Sequence, residues 1–231
     1  MLTGPQNLPE NLLWVRQRIA LAARRAGRDP AEVTLIGVSK TQPASTVRAA
    51  VQAGLTDLGE NYVQEALDKI GQLNDPRVTW HFIGVVQSNK TREVAEQFQW
   101  VHTVDRLKIA RRLSEQRPHY APPLQVCLQV HIGDEDSKSG VAPGEVRALA
   151  DAIAALPRLK LRGLMCIPPP EEDPGRQRGW FAQLRQLRVA LNASGHDLDV
   201  LSMGMSGDFE QAIAEGATHV RVGTAIFGAR S

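Results

Sequence analysis

Short apolar runs alternate regularly with longer helical patterns along this sequence, and this alternation limits the folds that are possible. The apolar runs have the length and composition of buried strands, and the patterns between them repeat apolar residues at helical spacing. The strand candidates are 33–38, 56–59, 79–84, 100–104, 124–132, 159–167, 198–203 and 219–223. The helix candidates are 43–54, 63–73, 88–98, 106–117, 143–156, 174–194 and 207–216, and one more, 8–27, precedes the first strand.

Strict alternation of strand and helix predicts an α/β fold with a parallel sheet covered by helices. Eight such units fit a (β/α)8 TIM-type barrel, whose usual length is about 250 residues. With 231 residues, the chain is predicted to form one such domain over 1–231, with an extra N-terminal helix. A doubly wound open sheet is the alternative fold.

Charge and composition favour a globular protein without a nucleic-acid surface. The net charge is +2, and the densest basic group, 106–112, falls in an amphipathic helix whose polar face would be solvated. The N-terminus shows no apolar signal core, and no apolar run reaches the length of a membrane span. Cys127 and Cys166 lie in apolar runs without metal-ligand spacing, which predicts buried thiols, no metal and a cytoplasmic location.

Lys40 is the first candidate for chemistry, because it follows the first strand. Active groups of such barrels lie at the carboxyl ends of the strands. An apolar strand beneath a lysine disfavours the ammonium and frees the amine to attack a carbonyl as a Schiff-base lysine. The alternative is a lysine paired with a carboxylate at the barrel rim.

The loops after the last two strands form the second candidate. Barrels often bind phosphate there. The segments SMGMSGD (202–208) and RVGTAIFG (221–228) are rich in small residues, and a helix is expected to start near Ser206 or Gly207. The alternative is a pair of ordinary turns. An amine and a phosphate cradle fit either pyridoxal phosphate or a phosphorylated sugar or keto acid, as in Schiff-base aldolases.

A resemblance decides between these ligand classes. The chain resembles the YggS/PROSC group of pyridoxal phosphate homeostasis proteins, whose barrel is similar to the N-terminal domain of bacterial alanine racemase. The matching segments are VSKTQP (38–43), GENYVQE (59–65), WHFIG (80–84), QSNK (87–90), VDR (104–106), SKSG (137–140), LRGLM (161–165), LSMGMS (201–206) and RVGTAIFGAR (221–230). They cover nearly the whole chain in order.

The resemblance implies that Lys40 binds pyridoxal 5′-phosphate covalently. It implies that Ser206, Gly223 and Thr224 contribute to the phosphate site. Arg221 would approach the pyridine nitrogen and, since it keeps its proton, would leave that nitrogen unprotonated and the cofactor a weaker electron sink. The alternative for Arg221 is a rim salt bridge.

Three further residues have two interpretations each. Asn61 could contact the cofactor or cap a helix, and His81 could line the pocket or be a hydrogen-bonded core histidine. Met203 could pack on the cofactor or fill the core. Val85 stands where related proteins often have a polar residue, so no polar role is expected there. Cys166 is interpreted as a packing residue.

Little or no catalytic turnover is expected. The resemblance to alanine racemase implies a second base from a C-terminal domain, which is not expected here, and neither Tyr62 nor Tyr120 is an evident replacement. The expected role is therefore to hold pyridoxal phosphate for intracellular vitamin B6 homeostasis, with apoenzymes as recipients, as a monomer or weak homodimer. The alternative is a weak pyridoxal phosphate-dependent amino-acid racemase.

Overall fold

The sheet closes into a barrel of parallel strands in chain order. The computed structural model describes residues 7–133 and 139–228. The strands are β1 (Thr34–Val38), β2 (Asp57–Glu60), β3 (Thr79–Phe82), β4 (Trp100–Val104), β5 (Leu124–Gln129), β6 (Leu159–Met165), β7 (Val200–Ser202) and β8 (His219–Val222). β1 pairs with β8 from Thr34↔His219 to Gly37↔Val222, which closes the barrel and makes the open-sheet alternative wrong.

Helices follow the strands and cover the outside of the barrel. They are α1 (Leu8–Arg25), α2 (Ala44–Gln52), α3 (Val63–Leu73), α4 (Thr91–Gln97), α5 (Leu107–Gln116), α6 (Val146–Ala154), α7 (Pro174–Ala193), α8 (Phe209–Ala214) and α9 (Thr224–Phe227). The predicted (β/α)8 architecture is confirmed. In the described part of the chain, no helix has both the length and the apolar character needed to cross a bilayer.

The predicted extra N-terminal helix is α1. The Asn7 side chain accepts a hydrogen bond from the Glu10 N–H at 3.1 Å and so caps its first turn. Leu12, Val15 and Ile19 repeat at helical spacing and are buried on one face. The helix packs against α8 and α9 on one side and α2 on the other, so it completes the outer layer where the barrel closes.

Several predicted boundaries differ from the structure by one to three residues, among them the start of α8 and the end of β5. Helix α8 begins at Phe209, not near Ser206 or Gly207, because the Asp208 carboxylate accepts the Met205 N–H at 2.5 Å and holds the intervening residues in a turn. β5 ends at Gln129, and the next residue, Val130, forms only an isolated bridge. Segment 137–138 of the SKSG match and 229–230 of the last match lie outside the described residues.

The hydrophobic core lies between the strands and the helices, while the barrel interior holds polar and aromatic side chains. Phe82, Phe98, Phe181 and Phe209 are among the largest fully buried side chains of the core. Inside the barrel, the rings of His81, Trp100, His102 and His219 lie together, with centroids 5.2 to 6.4 Å apart. The barrel therefore encloses groups that need hydrogen-bond partners.

The two cysteines are free and buried, as predicted. Burial raises the pKa of both the Cys127 and the Cys166 thiol to about 12. Cys166 packs in the main hydrophobic cluster, which matches its interpretation as a packing residue.

Candidate functional site

A small cavity at the carboxyl end of β1 and β8 brings Lys40 together with the loop after β8. It has a volume of about 40 Å³, and its lining includes Lys40, Gly223 and Thr224. Lys40 is half-buried, two residues beyond the end of β1. The barrel closure places the first and last strands side by side, so residues far apart in sequence share this cavity.

The backbone around Lys40 is held in an unusual conformation. Thr41 has φ +65°, in the left-handed region that β-branched residues rarely adopt. A turn closes over Lys40, since the Gln42 N–H donates to the Ser39 carbonyl at 3.0 Å. The Thr41 N–H donates to Glu65 Oε1 at 2.5 Å. Both neighbours of Lys40 are thus fixed by hydrogen bonds.

A buried ammonium group, that of Lys69 on α3, supports the same turn. Its Nζ donates to the Ser39 carbonyl at 2.6 Å, to Glu60 Oε1 at 2.7 Å and to Glu65 Oε1 at 2.6 Å. The Ser39 hydroxyl also donates to Glu60 Oε1, at 2.6 Å. Only 5% of the Lys69 side chain is exposed, so this cluster is an internal support and not a rim ion pair.

Glu60 is the last residue of β2, and its Oε1 accepts the hydrogen bonds from Lys69 and Ser39 that join this cluster. Burial raises the pKa of its carboxyl, although hydrogen bonds from Lys69 and Ser39 act in the opposite direction. Its second oxygen, Oε2, is buried and has no hydrogen-bond partner within residues 7–133 and 139–228. Oε1 therefore accepts the hydrogen bonds of the cluster, and Oε2 is a buried acceptor without a partner among the described residues.

Asn61 follows directly and also carries an unpaired acceptor. Its Oδ1 is buried without a hydrogen-bond partner in the described part of the chain. It does not cap α3, whose N-cap residue is Tyr62, so the capping alternative is wrong. The Asn61 backbone lies against Gly84, where a Cβ would come within 2.1 Å of the Asn61 carbonyl oxygen. Only glycine fits there, which fixes the Asn61 loop at the barrel end.

The loop after β7 lies beside β8. Gly204 has φ +95°, and a Cβ there would lie 2.7 Å from the Cβ of Ala212. The Arg221 N–H donates to the Gly204 carbonyl at 2.9 Å, which joins the loop to β8. Ser206 lies half-buried in the turn that follows, but it does not line the Lys40 cavity.

The turn after β8 leaves donors available. The Gly223 carbonyl accepts from the N–H groups of Ile226 and Phe227, at 2.9 and 3.0 Å, which forms the short helix α9. The N–H groups at the start of such a helix have no carbonyl within the turn to bond to. Those of Thr224 and Ala225 are in this position, beside the cavity that Lys40 lines.

Arg221 lies inside the barrel and is 4% exposed. Its Nη1 donates to Ser202 Oγ at 2.7 Å and its Nη2 to the Cys166 carbonyl at 2.9 Å. It forms no salt bridge with any residue that the structure describes, so the rim salt-bridge alternative is wrong. Burial lowers the pKa of its guanidinium from the usual value.

His81 and Met203 are both fully buried. The ring nitrogens of His81 lie 3.0 Å from Asp57 Oδ1 and 3.0 Å from His102 Nε2, so protein groups occupy both. Met203 belongs to the main hydrophobic cluster. These contacts favour the core interpretation of both residues, and their contact with a cofactor stays a prediction.

The residues that support the Lys40 turn, namely Glu60, Glu65 and Lys69, are not among the site residues that the sequence predicted. A signal was present, because Glu65 and Lys69 are four residues apart on a predicted helix, where such a pair is expected to interact. Within the matching segment 59–65, only Asn61 is predicted to be a site residue. That Lys69 points inward depends on the packing of α3 against the carboxyl end of β2.

Comparisons with known proteins agree with this architecture. Residues 11–231 match the family model described as "Alanine racemase, N-terminal domain". A curated relative from Pseudomonas aeruginosa, named pyridoxal phosphate homeostasis protein, is 60% identical and covers 96% of each chain. The solved structure of PipY from Synechococcus elongatus, with PLP bound, is 40% identical over 93% of this chain and 100% of that one, with a TM-score of 0.81.

A more distant likeness concerns the fold alone. Alanine racemase from Corynebacterium glutamicum superposes with a TM-score of 0.68 at 15% identity, over 96% of this chain and 62% of that one. The closed barrel, the matched family model and the relatives that are aligned over nearly their full length agree with one another. The chain therefore belongs to the alanine racemase N-terminal domain family and, within it, to the pyridoxal phosphate homeostasis proteins.

Proposed function

We propose that this protein binds pyridoxal 5′-phosphate, holds it as a Schiff base on Lys40 and serves vitamin B6 homeostasis with little or no turnover. The observation that carries the proposal is the shared cavity of Lys40, Gly223 and Thr224. This cavity combines an amine that can add to a carbonyl carbon with a turn that can bind a phosphate. When bound, the cofactor supplies an aldehyde to which a lysine amine can add.

The residues present fit this cofactor. The turn at Gly223 and Thr224, with the N–H donors of Thr224 and Ala225, and the Ser206 hydroxyl in the neighbouring turn suit a phosphate group. The buried Oδ1 of Asn61 lacks a partner and suits a donor on a bound molecule. Arg221, buried and fixed by Ser202, suits the pyridine nitrogen, to which it would donate and not give up a proton.

Low turnover is supported by the placement of the two tyrosines. Racemization needs acid–base groups on both faces of the bound amino acid. Tyr62 and Tyr120 are 59% and 91% exposed, and neither lines the Lys40 cavity. We propose that the bound cofactor passes to apoenzymes in the cytoplasm, and that the protein acts as a monomer or weak homodimer.

A spectroscopic titration tests the proposal. The wild-type chain should develop a visible absorption band with pyridoxal phosphate, and Lys40→Ala should not. Lys108→Ala, at an exposed position on α5, is the matched control and should behave as wild type. Pyridoxal without phosphate should bind at least tenfold more weakly, because charged hydrogen bonds contribute roughly 1.5–3 kcal/mol each.

Two outcomes would overturn it. A protein that stays colourless with pyridoxal phosphate would favour a phosphosugar ligand. Rapid deuterium exchange at Cα of an amino acid, abolished by Lys40→Ala, would instead show a racemase-like enzyme.

A further inference from the structure

A chain of hydrogen bonds crosses the barrel interior from one end to the other. It begins at Asp57, the first residue of β2, whose Oδ1 lies 3.0 Å from His81 Nε2. His81 Nδ1 lies 3.0 Å from His102 Nε2, and His102 Nδ1 lies 2.8 Å from Ser202 Oγ. Arg221 Nη1 completes the chain at 2.7 Å from the same hydroxyl.

The groups along this chain are almost completely buried. His81, His102 and Ser202 are 0% exposed, and Arg221 is 4% exposed. The Asp57 side chain alone reaches solvent, with 30% exposure. At the other end, Arg221 Nη2 donates to the carbonyl of Cys166, which follows β6. The chain thus connects the amino-terminal face of the barrel to the face where Lys40 lies.

The two ends fix the direction of every bond. Arginine only donates and an ionised carboxylate only accepts. Burial lowers the pKa of both His81 and His102, so each ring is neutral near pH 7 and has one donor and one acceptor nitrogen. His81 therefore carries its proton on Nε2 and donates to Asp57, and His102 carries its proton on Nε2 and donates to His81.

The two hydrogen bonds at Ser202 then each pair a donor with an acceptor. The Ser202 hydroxyl donates to His102 Nδ1 and accepts from Arg221 Nη1. The reverse direction would point two donors at Ser202 Oγ and leave its hydroxyl proton without an acceptor among the described contacts. One arrangement alone pairs each donor with an acceptor, and such aligned bonds polarise one another.

We propose that Asp57, His81, His102 and Ser202 are positioning residues for Arg221, forming one directed hydrogen-bond chain that orients its guanidinium. The buried cation has no ion pair among the described residues, and the chain links it to a carboxylate at the opposite end of the barrel. The part of this inference that concerns a cofactor rests on the proposed function, in which Arg221 approaches the pyridine nitrogen. The part that concerns the direction of the chain does not.

The direction of the hydrogen-bond chain is tested by nitrogen NMR of the cofactor-free protein, with isotope labels in its histidine rings. In the wild type, His81 and His102 should each appear as a single neutral tautomer with the proton on Nε2. Asp57→Leu removes the acceptor altogether, and His102, which does not touch Asp57, should then lose its single-tautomer signal. An Nδ1-protonated His102 in the wild type, or an unchanged His102 in Asp57→Leu, would overturn the proposal.

The link to the cofactor site is tested by Ser202→Ala. This variant should weaken binding of pyridoxal phosphate roughly tenfold and shift its visible absorption maximum, because the guanidinium loses the group that orients it. Ser114→Ala is the control, since Ser114 is also buried and its hydroxyl bonds the Pro157 carbonyl outside the barrel. Ser202→Thr keeps the hydroxyl and should restore the wild-type spectrum.

The outcomes separate the two proposals. If the wild type binds no pyridoxal phosphate, the proposed function fails. The tautomer experiment still tests the direction of the hydrogen-bond chain, because it uses the cofactor-free protein. If Ser202→Ala and Ser114→Ala change the spectrum equally, Arg221 is not positioned by this chain, even with Lys40 modified as expected.

Discussion

The turn that carries Lys40 depends on side chains that do not belong to it. Ser39 and Thr41 are both held by groups from β2 and α3, and Lys69 bonds the Ser39 carbonyl and two carboxylates at once. A left-handed φ at Thr41 costs conformational energy, which these bonds offset. The backbone turn that carries Lys40 is therefore supported by a second, buried lysine.

Replacing that lysine should be costly. Lys69→Met leaves the buried Glu60 carboxylate without its cation and should lower the free energy of unfolding by about 3–5 kcal/mol. Urea denaturation measures this change. The double variant Lys69→Met, Glu60→Gln should recover a large part of the loss, because it removes the uncompensated charge. A single variant as stable as wild type would show that the cluster does not support the fold.

The cysteines should be unreactive in the native protein. Burial raises the pKa of both thiols to about 12, so the thiolate that attacks a disulfide reagent is nearly absent at neutral pH. Ellman's reagent should therefore label neither thiol in buffer and both in concentrated urea. Fast labelling of the folded chain would contradict the burial of Cys127 and Cys166.

The elements differ in how far the sequence predicts them. Parallel strands that are buried on both faces appear in the sequence as short apolar runs. Their alternation with helices predicts a covered parallel sheet, and the number of units favours a barrel, but only the pairing of β1 with β8 excludes an open sheet. The cavity formed by Lys40, Gly223 and Thr224 follows from this topology, because β1 and β8 must meet. Boundaries that depend on one side chain, such as Asp208 before α8, are not visible in the pattern.

Contacts across the barrel interior are the least predictable part. His102 and Ser202 are 100 residues apart and meet only because β4 and β7 face each other across the barrel. Glu60 and Lys69 form a pair because α3 packs against the end of β2. Periodicity shows that such residues face inward, but not which side chain each one meets.

The turn between β7 and α8 is expected to matter for the cofactor site. Asp208→Ala removes the acceptor for the Met205 N–H and should cost about 1 kcal/mol of stability and weaken binding of pyridoxal phosphate. Isothermal titration and urea denaturation measure the two effects. Asp29→Ala is the matched control, because Asp29 bonds the Ala31 N–H at 2.9 Å before β1, at the other end of the barrel. Equal losses of affinity in both variants would contradict this role.

Neutral histidine rings inside the barrel make the stability of the folded protein depend on pH. Burial lowers the pKa of His81 and His102, and it lowers that of His219 to about 3. Below pH 6.5 the unfolded chain binds protons at these rings that the folded chain does not. The stability that the neutral rings give the folded state is therefore fully present above pH 6.5. It is lost as the pH falls toward the pKa values of the rings in the folded protein.

The free energy of unfolding should accordingly fall between pH 6.5 and pH 4, by up to about 1.4 kcal/mol per pH unit for each of these rings. Urea denaturation at several pH values measures the slope. His219→Asn should make the slope of the free energy of unfolding against pH shallower by about 1.4 kcal/mol per pH unit, which corresponds to one proton. A slope unaffected by this change would show that His219 is charged in the folded protein.

We propose that the Lys40 amine and the turns after β7 and β8 bind one aldehyde phosphate together. Incubation with pyridoxal phosphate, borohydride reduction and peptide mass mapping test it most directly. One phosphopyridoxyl group is expected, on the peptide that contains Lys40. Modification at another lysine, or none in a protein that remains folded, would contradict it.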